Sequence, residues 1–276
     1  ILSRPFYNTQ MNWNCILERV SQTESTNEDL MARWRAGQLI DPISRLAKNQ
    51  TKGKGRAGRS WFTQPNVSLS FSLAYPFNGN IKSLQGLSLV CGLATIRGIS
   101  KSLHMDESKL REHGLALKWP NDLLIHDRKL GGLLIEGGRL SSNSPNEKTW
   151  MIIGIGMNLS YSKALELASQ ISISYLSELN QNQATMDADL VWLSILDALG
   201  EYLSIFEKRG FAAFHDQWEY WDAYRDLPVE ISEFGQSKYI GIAKGVNDEG
   251  ALLLLESGNN EPTVVYAGDV SLRKKS

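Results

Sequence analysis

Hydrophobic and polar positions change period several times along the chain. Val67, Leu69, Phe71 and Leu73 alternate with serines and lead into Ala74. A period of two predicts a half-buried strand, stopped by Pro76. Between Leu84 and Leu103 the apolar residues Val90, Leu93, Ala94, Ile96 and Ile99 mark the stripe of a helix. Leu115–Trp119, Leu130–Glu136 and Trp150–Leu159 read as strands. The last is nearly all apolar and belongs at the centre of a sheet, covered on both faces. Ala188–Phe206 and Phe211–Trp221 read as helices. Ser25-Thr26-Asn27-Glu28 has capping-box spacing and opens a short helix that ends near Gly37.

The pattern shortens beyond Tyr224. Pro228-Val-Glu-Ile, Tyr239-Ile-Gly-Ile-Ala, Ala251-Leu-Leu-Leu-Leu and Thr263-Val-Val-Tyr are separated by Phe234-Gly235, Asn247-Asp-Glu-Gly250 and Gly258-Asn-Asn. Short strands at that turn spacing predict a small all-β barrel. About fifty residues bury little area alone, so this module is expected to lean on a larger partner domain. The expected division is 1–224 for the large domain and 225–276 for the small one. No internal repeat or low-complexity tract interrupts the chain.

Composition narrows the picture. At 276 residues, 42% apolar and 21% charged, the chain has enough material for a real core and is not disordered. A net charge of -1 predicts neither a nucleic-acid coat nor a membrane-surface binder. Cys15 and Cys91 cannot form a disulfide framework or a Cys-rich zinc site. His104, His113, His126 and His215 lack the spacing of a ligand motif, so no protein-bound metal is expected. No apolar run approaches a membrane span, and the N-terminal stretch lacks a signal core. A cytoplasmic setting is the expectation, and there the glycosylation-like Asn66-Val-Ser68 and Asn158-Leu-Ser160 go unused. The chain opens on Ile1, so the native start is expected either upstream or at Met11.

The charge is unevenly placed. From Pro42 to Met105, 64 residues carry no Asp or Glu, and four cations fall between Lys52 and Arg59. That predicts an anion site rather than a merely solvated face. Its centre is Gly53-Lys54-Gly55-Arg56-Ala57-Gly58-Arg59-Ser60-Trp61. This contains G-x-G-x-x-G, but no helix start follows and no acid appears until Asp106, so a dinucleotide fingerprint fails on context. No H-R-D or D-F-G follows either, which removes the kinase glycine loop. What remains is a mobile loop whose glycines let an anion approach the backbone and whose arginines grip oxygens in pairs. Trp61 adds a flat face for a purine. Three further segments sit at strand ends or strand starts: Lys118-Trp119-Pro120-Asn121-Asp122, Lys129-Leu130-Gly131-Gly132-Leu133-Leu134, and Gly154-Ile-Gly156-Met-Asn158. Glycines there permit close ligand approach.

Taken in order, these segments resemble the biotin protein ligases, over nearly the whole chain. Gly241-Ile-Ala-Lys-Gly245, Gly250-Ala-Leu-Leu and Gly268-Asp-Val-Ser-Leu-Arg273 fit the C-terminal part of that family. The resemblance implies an α+β fold: a mixed-sheet biotin/lipoate ligase-like catalytic domain with a small SH3-like barrel. It implies ATP-dependent activation of biotin to biotinyl-5'-AMP with loss of pyrophosphate. Biotin then passes to a lysine of a biotin carboxyl carrier protein, expected to be an acetyl-CoA carboxylase subunit. It assigns Ser25, Thr26, Asn27, Gln50, Gly53, Lys54, Gly55, Arg56, Lys129 and Gly132 to biotin. Arg56, Arg59, Trp61, Asn121, Asn158 and Arg273 go to the nucleotide side, with Trp61 on adenine and the loop ordering over ligand. Lys129, Arg56 and Asp122 become catalytic, Asp122 as proton acceptor for the incoming lysine. Mg²⁺ is expected to arrive with ATP.

Two features depart from the family pattern. Lys54 replaces an arginine, keeping charge but losing the fork. Only 24 residues precede Ser25, too few for the DNA-reading domain of many bacterial relatives, so no DNA partner is expected. A monomer or weak homodimer is expected. The competing readings are a lipoate or octanoate ligase, and a non-enzymatic biotin sensor that binds DNA.

Overall fold

A computed structural model describes residues 11–78, 80–140, 148–180, 186–233, 236–268 and 270–275. The Phe234-Gly235 turn lies outside them, as do the first ten residues. Along the chain run β1 (Ile16–Val20), α1 (Thr26–Arg35), β2 (Ile43–Ala47), β3 (Ser68–Phe77), α2 (Leu87–Leu103), α3 (Glu107–Glu112), β4 (Leu115–Lys118), β5 (Asp122–Ile125), β6 (Arg128–Gly138) and β7 (Thr149–Asn158). Then come α4 (Lys163–Ala168), α5 (Ala188–Arg209), α6 (His215–Trp221), β8 (Pro228–Glu233), β9 (Gln236–Val246), β10 (Leu252–Glu256), β11 (Thr263–Val265) and β12 (Val270–Lys274). None of the described helices is long and apolar enough to cross a membrane.

Seven strands form a mixed sheet in the order β1-β2-β3-β7-β6-β5-β4. Only β1 and β2 run parallel. The apolar strand β7 is fourth of seven, at the centre, as its composition predicts. Alternation sorts its residues. Met151, Ile153, Ile155 and Met157 join the main core with α2 and α5, whereas Trp150 and Ile152 pack with Leu30 and Met31 of α1. Gly154, Gly156 and Asn158 continue on that second face.

The same rule revises the prediction for β3. Leu69, Phe71 and Leu73 enter the main core, but Ser68, Ser70 and Ser72 are also buried, so the strand is covered on both faces. Ser72 meets Thr26 and Asn27 of α1, and Ser68 accepts from Gln64 N. Pro76 does not stop the strand, which pairs with β7 as far as Phe77. Past Ala74, β2 no longer pairs with β3, so Pro76 occupies a local edge where a missing donor is tolerated.

The C-terminal strands form a five-stranded antiparallel sheet, β11-β10-β9-β8-β12. It leans on the larger domain as its size requires. Trp119 Nε1 donates to Gly250 O at 3.1 Å, His215 Nε2 lies 2.8 Å from Val246 O, and Lys274 Nζ meets Asp127 Oδ2 at 2.5 Å.

Candidate active site

Helix α1 delivers the first three residues of the site. Ser25 is its N-cap, and its Oγ accepts from Glu28 N. The Glu28 carboxylate turns outward to Lys54 Nζ at 2.7 Å. This pair ties the glycine loop to the first turn of the helix, and the hydrogen bond that Lys54 donates to Glu28 raises the Lys54 pKa. Beneath the helix, Arg45 bridges Glu18 and Asp29 at 2.7 Å each, and Arg33 holds Glu18 at 2.9 Å. Hydrogen bonds from Arg33 hold the Glu18 carboxyl below its usual range against the opposing push of burial, and Arg45 adds to the pull.

Thr26 and Asn27 are buried at 3% and 4% exposure and fully engaged. Gln50 Oε1 accepts from Thr26 N at 2.8 Å and from Thr26 Oγ1 at 3.1 Å. Ser72 Oγ donates to Asn27 Oδ1 at 2.9 Å and lies 2.8 Å from Thr26 Oγ1, whose single proton is divided between Ser72 Oγ and Gln50 Oε1. Asn27 Nδ2 donates to Glu136 Oε2 at 2.7 Å. Ser72 and Glu136 were not among the predicted site residues. Ser72 was read only as the polar half of an alternating strand, and nothing local to Glu136 marks it.

The glycine loop is folded across the sheet. Gly55 N donates to Arg59 O at 2.7 Å, and Trp61 N donates to Gly53 O at 2.8 Å. A Cβ on Gly53 would lie 2.4 Å from Trp61 O, so this position has no room for a side chain. Arg56 Nη1 donates to Asn121 Oδ1 at 3.0 Å, and its other terminal nitrogen donates to Gly268 O in the bend between β11 and β12. Asn121 Nδ2 in turn donates to Leu133 O at 2.7 Å. Trp61 lies against Gly156, and Lys129 Nζ sits 5.8 Å from its ring centroid.

Lys129, the second residue of β6, lies beside Asp122, which starts β5. Lys129 Nζ approaches Asp122 Oδ1 at 2.6 Å, and Lys118 Nζ approaches Oδ2 at 2.7 Å. Burial alone would push the Asp122 carboxyl up, but the Lys129 and Lys118 ammoniums overcome it and hold its pKa at about 2. This carboxylate is therefore a very weak base, already shared by two cations. Its direct partners are the two ammoniums, which suits a role in positioning Lys129.

These elements enclose one cavity of about 540 Å³. Among the predicted residues, Ser25, Thr26, Asn27, Gln50, Lys54, Gly55, Arg56, Arg59, Trp61, Asn121, Lys129, Gly132, Asn158 and Arg273 all line it. Gly53 and Asp122 lie behind its wall. Phe62, Leu165, Ile171 and Ile173 add apolar surface that the motifs do not reveal. Asn158 Nδ2 donates to Ser174 O at 3.2 Å, tying the end of β7 to the segment that carries Ile171 and Ile173. Five cations, Lys54, Arg56, Arg59, Lys129 and Arg273, share this lining with no carboxylate among the described residues.

The acid-free block is only partly electropositive in space. Arg45, Lys52, Lys54, Arg97 and Lys101 pair with acids from outside it. Of the block's cations, Lys54, Arg56 and Arg59 line the cavity, where Lys129 and Arg273 join them. Outside the cavity, His215, Asp216 and Glu219 cluster within 4.8 Å. His215 Nε2 is already 2.8 Å from Val246 O, a contact a metal would have to displace.

Comparison with known proteins gives the following. The model of the biotin/lipoate A/B protein ligase family matches residues 19–158, and that of the biotin protein ligase C-terminal domain matches 228–273. The chain is 30% identical to the bifunctional ligase/repressor BirA of Escherichia coli, over 91% of this chain and 72% of that protein. It is 27% identical to a biotin–[acetyl-CoA-carboxylase] ligase of Mycobacterium tuberculosis, over 92% and 88%. Among solved structures, the biotin protein ligase of Aquifex aeolicus in complex with biotin and ATP superimposes with a TM-score of 0.73 at 25% identity. That match covers 94% of this chain and 99% of the other.

Proposed function

Because the chain belongs to the biotin/lipoate A/B protein ligase family, and is a biotin ligase by its relatives, we propose that it activates biotin with ATP and transfers it to a lysine of a biotin carboxyl carrier protein. The observation that carries this reading is the cavity itself. Its lining is cationic and free of carboxylates at one end, and neutral and fully hydrogen-bonded at the other. A ligand with a neutral polar head and an anionic tail, placed beside a polyphosphate, meets both ends. The match of the biotin-type C-terminal domain favours biotin over lipoate or octanoate.

A carboxylate is a poor acyl donor because its leaving group would be oxide. In the first step a biotin carboxylate oxygen attacks the α-phosphorus of ATP and the bond to pyrophosphate breaks. The product is a mixed anhydride whose leaving group is AMP. Two anions must meet, and Lys129, Arg56 and Arg59 offset their repulsion. Asn121, Asn158 and Arg273 complete the nucleotide side. The Ser25–Asn27 turn with Gln50 holds the ureido ring. Among the described lining residues no carboxylate is available to bind Mg²⁺. The ion fits only as part of the nucleotide substrate, held by phosphate oxygens. In the second step the amine of the carrier lysine attacks the acyl carbon and AMP leaves. Asp122 serves by fixing Lys129 rather than by taking a proton.

Mixing the protein with biotin and ATP is expected to release pyrophosphate and form biotinyl-AMP. Release no greater than in a control without biotin sinks the proposal. Arg56→Gly removes the contacts to Asn121 and Gly268 that close the loop. The variant is expected to leak adenylate at least about tenfold faster, the loss of one charge-assisted contact. Adenylate release after removal of free biotin measures this, and an unchanged rate contradicts the loop's role.

A further inference from the structure

Two buried polar atoms beside the cavity have no hydrogen-bond partner: Trp61 Nε1, on a residue that lines it, and Ser70 Oγ, just behind the lining. Ser70 is 3% exposed. It pairs across the strands with Gly156, and directly opposed residues share a face, so its side chain stands beside that glycine on the cavity side. A Cβ on Gly156 would lie 2.5 Å from Trp61 Nε1. Both orphan groups therefore converge on one glycine. Their neighbours on the same ladder are satisfied. Ser72, opposite Gly154, bonds Asn27, and Ser68, opposite Asn158, accepts from Gln64 N at 3.1 Å. An unmet buried donor costs free energy unless a ligand or water answers it.

The positions form a ruler along β7. Gly154 abuts Asn27, with Oδ1 2.6 Å from its Cβ position, and so marks the ureido end. Asn158 reaches the Lys129 carbonyl and marks the carboxylate end. Gly156 lies midway, about 7 Å from each. Biotin presents acceptors in the same order: ureido oxygen, ring sulfur, carboxylate. The first and last have partners at the two ends, which leaves the thioether sulfur for the middle.

We propose that Ser70 Oγ and Trp61 Nε1 recognise the ring sulfur of biotin and set the preference for biotin over its sulfur-free analogue. This rests on the biotin-ligase reading above. Both atoms are covered in the structure, so the sulfur reaches them when the indole tips from Gly156.

The test measures dissociation constants for biotin and desthiobiotin by calorimetry in the wild type, S70A and W61F. Desthiobiotin keeps the ureido ring and the acid but lacks sulfur. The wild type is expected to favour biotin, and S70A to narrow that ratio about fivefold, the worth of one modest hydrogen bond. W61F, which keeps an aromatic face and loses the N–H, should narrow it in the same direction. Both ligands weakening equally in both variants, with the ratio unchanged, overturns the inference while leaving the ligase reading intact. A wild type that binds neither ligand instead brings down the ligase reading and this inference with it.

Discussion

Lys129→Ala should lower the rate of pyrophosphate release from biotin and ATP by at least about a thousandfold. The ammonium sits at the start of β6, lines the cavity, and is held by Asp122 at 2.6 Å rather than left to swing. A unit charge about 4 Å from an anion at an effective dielectric near 20 is worth roughly 4 kcal/mol before desolvation. At about 1.4 kcal/mol per factor of ten, that corresponds to about three orders of magnitude in rate. The benefit grows as negative charge gathers between carboxylate and phosphate, so the loss should appear in the chemical step as well as in binding. Single-turnover mixing with saturating biotin and ATP separates the two. A variant rate within tenfold of wild type would place the condensing anions elsewhere. Lys129→Arg should recover part of the rate, since it restores charge without the compact ammonium that Asp122 fits.

The parts of this site visible in sequence are those where the backbone itself is constrained. Gly53 must be glycine because Trp61 O stands 2.4 Å from its Cβ position, and Gly154 and Gly156 must be because Asn27 and Trp61 press on them. Such needs leave glycine spacings that can be read in one dimension. Ser70, Ser72 and Glu136 leave no such trace. Ser72 and Glu136 matter because they meet Asn27 of α1, and Ser70 because it faces Gly156 across the strands, relations that no local pattern reveals. Strands β1 and β2 were also missed, for a related reason. Glu18 and Arg45 interrupt their apolar runs, and only the fold shows that these charges pair with each other and with Arg33 and Asp29 under the helix. Helix α1 was legible through Ser25. The second duty of its cap box, Glu28 reaching Lys54, became visible only with the loop in place. Lys54 keeps its charge against Glu28, a carboxylate that also faces Arg35 at 3.8 Å.

Asp122→Asn is expected to destabilise the fold by about 3–5 kcal/mol and to slow adenylation as well as transfer. The carboxylate is buried between Lys118 and Lys129, whose side chains are each 19% exposed. An amide of the same shape leaves two neighbouring ammoniums with no counter-charge. Lys129 then loses the contact that aims it into the cavity, so the first step must suffer. A proton acceptor for the carrier lysine would behave differently, sparing pyrophosphate release and blocking transfer alone. Measuring both half-reactions in the variant decides between these roles. The pH dependence gives an independent reading. A carboxyl whose pKa is lower folded than unfolded adds stability above its unfolded value, roughly 4, and that stability disappears as pH falls through the folded value. For Asp122 the folded value is about 2, so the wild type should lose about 2–3 kcal/mol between roughly pH 4 and pH 2. Glu18, also held below its ordinary value, adds acid sensitivity of the same sign. Urea unfolding across that range should show a shallower slope for Asp122→Asn than for wild type. Parallel slopes would mean that the two lysines do not hold this carboxylate, and the positioning of Lys129 would need another source.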